Sequence, residues 1–220
     1  MERLFEFLHG LKENNHKDWF HANKSTYDEL RKNFEETVGE LITMISATDP
    51  HIGITDPRDC MFRINRDIRF SKNKTPYKTH MSAFISYEGR KSSGPGYYFH
   101  LEPGNSMFGA GVYLPEAAKL EKIRYEIDYN GAAFEEILNN PAFKKRFGEL
   151  EEVKLKRPPK GFSEDHPFIH LLKYKSFFSF RKYSDDEVMK NKFMSSIKDD
   201  IKLLYPYNQF FYKSFGLEDQ

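Results

Sequence analysis

The sequence predicts an α+β fold, a central antiparallel sheet packed with N-terminal and C-terminal helices, and three observations carry that expectation. Apolar residues recur at steps of three and four at both ends of the chain, over 26–45 and 189–204, which is the signature of amphipathic helices. Between positions 62 and 114 the period falls to two, the alternation of half-buried strands. Turn residues such as Pro103-Gly104-Asn105 separate these runs closely enough for hairpins, which favours a meander over parallel crossovers.

Taken in order, Leu4, Phe5, Phe7, Leu8 and Leu11 suit a short helix ending near Asn14, and the segment around Trp19 and Phe20 suits a further helical turn. Thr26 and Glu29 have capping-box spacing and open a longer helix, with Tyr27, Leu30, Phe34, Val38, Leu41, Ile42 and Ile45 on one face. Phe62, Ile64, Ile68 and Phe70 then alternate with Arg63, Asn65, Asp67 and Arg69, which predicts a strand in which Arg66 falls on the apolar side. Strands are expected at 79–87, 97–102 and 106–114, with Gly109 and Gly111 marking a bulge or the close approach of a ligand or another backbone. Helices are expected from Pro115 to Ile127, from Ala133 to Leu138 and from Ala142 to Phe147. A short strand at 153–156, a loop through Pro158-Pro159, a short helix near 167–173 and a late Phe-rich strand at 176–181 follow. Ser184 and Glu187 form a second capping box, opening a helix that Pro206 should end. About four meander strands plus one late strand therefore make up the predicted sheet.

The 220 residues contain no Gly/Ser/Pro-rich linker, so a single domain over 1–220 is expected, and 21 Phe and 13 Tyr supply ample core material. The single Cys60 excludes an internal disulfide and a multi-cysteine zinc site, and reads as a small core filler. The start M-E-R-L-F-E-F mixes acid into its apolar residues, unlike a secretory signal. No run reaches the roughly 18 apolar residues that span a bilayer. A soluble, cytoplasmic protein without membrane partners is expected. A formal net charge of +1 argues against a nucleic-acid binder that uses its whole surface.

Four phrases occur together in order: N-N-H-K-D-W-F-H-A-N-K-S-T-Y, F-R-I-N-R-D-I-R-F-S-K-N-K-T-P-Y-K-T-H, P-G-Y-Y-F-H-L-E-P-G and K-R-P-P-K-G-F-S-E-D-H-P-F-I-H-L-L-K-Y-K-S-F. By these the chain resembles, nearly end to end, the domain-of-unknown-function family numbered 2461. The resemblance implies a compact α+β domain and brings no activity or catalytic residue with it.

Charge is placed rather than spread. Between Arg63 and Lys78 stand Arg63, Arg66, Arg69, Lys72, Lys74 and Lys78 against Asp67 alone. Guanidinium forks and lysine point charges suit phosphate or carboxylate oxygens, although a solvated strand face paired with the acids of the N-terminal helices explains the same run. Tyr98, His100 and Glu102 share one face of their strand, so Tyr98 becomes a pocket candidate and His100 with Glu102 a candidate acid/base pair; a satisfied strand histidine beside a rim glutamate is the alternative. A second basic cluster, Lys154, Lys156, Arg157 and Lys160, sits on the stiff Pro-Pro loop as a rim, a lid or plain surface. His166 and His170 are four apart, but Pro167 stands where a zincin carries its Glu, and the E-x-K fragment Glu152-Val153-Lys154 is too common to mark a nuclease core. No metal site and no cofactor are expected.

The expected function is therefore binding of a small anionic ligand by Arg63, Arg66, Arg69, Lys72 and Lys78 with Tyr98, and an enzyme would move its proton through His100 or Glu102. The competing expectation is a non-catalytic module that binds nucleic acid or a protein partner through the two basic clusters.

Overall fold

A computed structural model describes residues 1–151 and 153–217. It has the predicted α+β architecture: one antiparallel sheet in the order β1-β2-β3-β4, with helices before and after it. The N-terminal helices are α1 (Glu2–Glu13), α2 (Lys17–Ala22) and α3 (Lys24–Ser46), followed by a single turn, α4 (Pro57–Cys60). The strands β1 (Met81–Ile85), β2 (Gly96–Leu101) and β3 (Ser106–Val112) form the meander. After α5 (Ala117–Asn139), α6 (Pro141–Phe147) and α7 (Ile169–Leu172), β4 (Phe177–Tyr183) returns beside β3, and α8 (Asp185–Met189) and α9 (Phe193–Tyr212) close the order.

The two faces of the sheet differ. Tyr97, Phe99, Leu101, Phe108, Ala110 and Phe177 point to one side and are wholly buried, as the two-residue period requires. Helices cover that side: Phe34 of α3 stacks on Phe99 at 5.7 Å, and Phe134 of α5 and Phe211 of α9 lie 6.2 and 5.6 Å from Phe177. Two buried carboxylates are paired with groups distant in sequence. Asp49 accepts from Tyr97 Oη at 2.9 Å and from Tyr212 Oη, and Asp200 is held by Arg146 and Tyr183. The opposite face carries Ser82, Phe84, Tyr98, His100, Met107, Phe178 and Phe180 and is left largely open, lining a cavity.

Several local expectations change. Residues 62–70 form no strand; the chain loops from Met61 to His80, with isolated bridges at Met61↔Ala83, to β1, and at Asn65↔Tyr77, within the loop. The alternating pattern misled because Phe62 is exposed and Phe70 is 96% exposed, whereas Ile64 is buried. A side chain takes the place of a neighbouring strand: Asn15 donates to Tyr77 O and accepts from Tyr77 N, both at 3.0 Å. The helix expected to open at Thr26 begins at Lys24, and the two expected between 115 and 138 are one helix with a kink at Asn130. Residues 153–156 contribute one bridge, Lys154↔Tyr174. Pro206 lies inside α9 and does not end it. The missing hydrogen bond and ring clash cost about 3 kcal/mol; burying Tyr207, Phe210, Phe211 and Tyr212 contributes about 1.5–3 kcal/mol for a side chain of Phe size. Burial wins.

Gly109 and Gly111 answer the question raised by their sequence. A Cβ at Gly109 would run into the Ser179 carbonyl, and one at Gly111, whose φ is +121°, into the Phe177 carbonyl. The close neighbour is the backbone of β4.

Candidate functional site

The site is built on the open face, along the seam between β1 and β2. Antiparallel register puts Ser82 opposite His100 and Met81 opposite Leu101, so the chain just before β1 brings His80 alongside the end of β2. Tyr98, His100 and Glu102 stand in a row at alternate positions. Tyr98 Oη lies 2.9 Å from His100 Nδ1, and His100 Nε2 lies 3.2 Å from Glu102 Oε2. Glu102 is itself fixed, accepting from Thr79 Oγ1 at 2.8 Å and from Asn105 Nδ2 at 3.1 Å. The His80 ring lies on the His100 ring with centroids 4.2 Å apart.

Tyr98 and His100, with His80, line a cavity of about 590 Å³ whose walls are largely aromatic but also carry Met107, Ser92, Ser93 and one carboxylate, Glu151. Tyr98 meets Phe62 and Phe178 edge-on at 6.4 and 6.2 Å, and Tyr113 meets Phe178 at 6.3 Å. Lys78 and Arg90 stand at the rim, and both also line an adjoining groove of about 830 Å³. That groove carries Lys24, Arg31, Arg58, Arg63 and Lys91 as well, against one acid, Asp28.

The electrostatics follow from burial. Removal from water lowers the pKa of His80 to about 4, helped by the adjacent His100 ring. Burial also lowers His100, against the opposing pull of Glu102. Burial works against the Glu102 charge, but hydrogen bonds from Asn105, Thr79 and His100 outweigh it and leave the carboxyl below its usual value. Burial raises the Tyr98 phenol. Lys78 is lowered, first by burial and then by Arg63. At neutral pH the His80 and His100 imidazoles are therefore neutral and Glu102 is a carboxylate.

The predicted ligand set separates. Tyr98, His100, Glu102 and Lys78 come together, with Arg63 in the adjoining groove. Arg66 turns back into its own loop, donating to Thr75 O at 3.1 Å, to Thr75 Oγ1 and to Ser71 Oγ. Arg69 grips Asp67 at 2.7 Å, and Lys72 is exposed, lining neither cavity. Lys154, Lys156, Arg157 and Lys160 line neither cavity among the described residues. Glu152 of the E-x-K fragment lies outside the described residues. His166 and His170 each pair with their own carboxylate on α5, Asp128 at 2.8 Å and Glu135 at 2.9 Å. Sequence reading missed His80 and Arg90. His80 shares the parity of Ser82 and Phe84, so the outer-face pattern of the predicted 79–87 strand contained it, but only the register shows it beside Glu102.

No helix among the described residues is long and apolar enough to cross a membrane. No curated protein and no solved structure matches the chain. The family model described as conserved hypothetical protein (DUF2461) matches residues 3–210. With nearly the whole chain covered, the protein belongs to the DUF2461 family.

Proposed function

We propose that this chain binds a small ligand with an anionic group, phosphate or carboxylate, joined to a flat apolar part. The observation that carries the reading is the pairing state of the rim cations. Among the described residues Lys78 has no carboxylate partner, and Arg90 donates only to the carbonyls of Arg58 and Asp59, at 2.9 and 2.8 Å. A half-buried cation that burial already disfavours gains most from an incoming anion. Phe62, Tyr98, Phe178 and Tyr113 offer edges and faces to an apolar body. His100 and Glu102, hydrogen-bonded to each other, are the pair able to exchange a proton with a ligand seated on them. Arg63 joins the cationic rim from the groove. Arg66, Arg69 and Lys72 drop out of the reading, two of them being engaged elsewhere and the third lining neither cavity.

The test is a thermal-shift and calorimetric screen of phosphorylated and carboxylated metabolites against the full chain. A hit that weakens in Lys78→Met or Arg90→Ala supports the reading, and no hit from any anion class overturns it. The groove favours a second reading, a polyanionic partner such as nucleic acid, because seven cations line it. That reading expects polynucleotide affinity to fall steeply with salt; affinity flat across salt removes it.

A further inference from the structure

We infer that His80, His100 and Glu102 form a binding site for one borderline divalent transition-metal ion of the zinc or iron(II) class. One ligand atom from each of the three lies within 4.8 Å of the other two. Metal–nitrogen and metal–oxygen bonds of about 2.0–2.2 Å put neighbouring ligand atoms about 3–3.5 Å apart. His100 Nε2 and Glu102 Oε2 already stand at 3.2 Å, so the set closes on an ion by small rotations of the side chains.

The chemistry of the donors selects the ion. Two imidazoles and one carboxylate are the ligand types of zinc and non-haem iron, whereas magnesium and calcium prefer all-oxygen shells. Supporting contacts are in place. Tyr98 Oη holds His100 Nδ1 and so directs Nε2 toward Glu102; a hydroxyl can donate or accept, so it serves the tautomer with the proton on Nδ1 once Nε2 takes a metal. Thr79 and Asn105 hold the carboxylate. His80 makes no hydrogen bond through its ring among the described residues, so its nitrogens are available. Three protein ligands leave coordination positions unfilled, as in catalytic rather than structural metal sites, and two of the three, His80 and His100, line the cavity. The inference goes beyond the anion reading, because the triad offers the same donors whether or not an anion follows.

Lys78 separates the two readings, since it lines the same cavity as His80 and His100 without being a ligand. Its cation opposes a bare metal ion and favours an anion. The experiment uses the full chain stripped with a chelator and then dialysed. Cobalt(II) binding is read by visible absorption, and zinc(II) by calorimetry and by displacement of cobalt, with magnesium as control. Expected are one ion per chain, ligand-field bands of a nitrogen/oxygen site, and no comparable magnesium binding. His80→Phe, which keeps a ring against His100, and Glu102→Gln should each lower zinc affinity by more than about 100-fold, and Tyr98→Phe by about 10–100-fold. Lys78→Met should leave zinc binding intact or tighter while weakening any anion. The inference is overturned by the absence of stoichiometric cobalt or zinc binding, by binding that survives both ligand substitutions in folded protein, or by magnesium binding as well as zinc. Zinc binding with no anion hit would leave it standing and defeat the anion reading alone.

Discussion

Lys78→Met and Arg66→Ala, compared side by side, separate the ligand-binding cation from the structural one. Lys78 Nζ lies 5.2 Å from the centre of the Phe62 ring, so methionine keeps the packing of the stem and removes only the charge. A hydrogen bond to a charged group contributes about 1.5–3 kcal/mol, and each 1.4 kcal/mol is tenfold in affinity, so the anion found by screening should bind about 10–150-fold more weakly. The free protein should lose no stability, because burial already disfavours this cation. Arg66→Ala removes donors to Thr75 O, Thr75 Oγ1 and Ser71 Oγ, which cost about 1–3 kcal/mol together. At about 2–4 °C per kcal/mol for a chain of this size, its melting temperature should fall visibly while affinity below the transition stays within about twofold, less than 0.5 kcal/mol. Calorimetric titration at fixed ionic strength and a melting curve measure both quantities. Unchanged affinity in Lys78→Met, or an Arg66→Ala protein that melts normally yet no longer binds, would refute the assignment.

Asp49→Ala should cost about 2–6 kcal/mol in denaturant unfolding, since it orphans the buried hydroxyls of Tyr97 and Tyr212 at about 1–3 kcal/mol each; a cost under 1 kcal/mol would show that the two phenols find other partners. Burial, acting against the hydrogen bonds from Tyr212 and Tyr97, raises the folded-state pKa of Asp49, so between the unfolded value near 4 and the raised folded value the native chain holds a proton that the unfolded chain has lost. Its stability contribution therefore rises as pH falls through that window; wild type should gain on Asp49→Asn between neutral pH and about pH 4, and a gap that is flat or moves the other way contradicts the sign. Gly111→Ala, at φ +121° and against the Phe177 carbonyl, should lose at least about 1–3 kcal/mol from backbone strain alone, read as a lower melting temperature; a neutral effect would mean that β3 and β4 can separate freely.

Elements whose signals are local were legible in the sequence. The α3 face from Tyr27 to Ile45 is buried as its periodicity requires, and Ser184 and Glu187 form the capping box their spacing announces. The turn at Gly104, with φ of +75°, joins β2 to β3 where Pro-Gly-Asn predicts it. Elements decided by partners distant in sequence were not legible. The 62–70 segment alternates as a strand does, yet the partner of Tyr77 is the side chain of Asn15, 62 residues away. Nothing local marks Pro206 as tolerable; the aromatic core beneath α9 decides it.

The site divides along the same line, and the division bears on what it is for. Tyr98, His100 and Glu102 follow from the two-residue period of one strand, and by themselves they satisfy one another, so a fold-only explanation covers them fully. His80 is the residue that explanation leaves out. Its ring lies on His100, burial and that neighbour hold it neutral with a pKa near 4, and no hydrogen bond engages its nitrogens among the described residues. A side chain there serving only to pack could be any flat ring. His80→Phe therefore tests the fold-only explanation directly: if the nitrogens do nothing for the fold, the variant should unfold within about 1 kcal/mol of wild type, as volume-conserving swaps do, or above it, because a desolvated polar ring has been replaced by an apolar one. Equal or greater stability would mean that the histidine is kept at a cost the fold does not require, which is the mark of a group serving a ligand. A loss of more than about 2 kcal/mol, beyond such swaps, would return His80 to the fold.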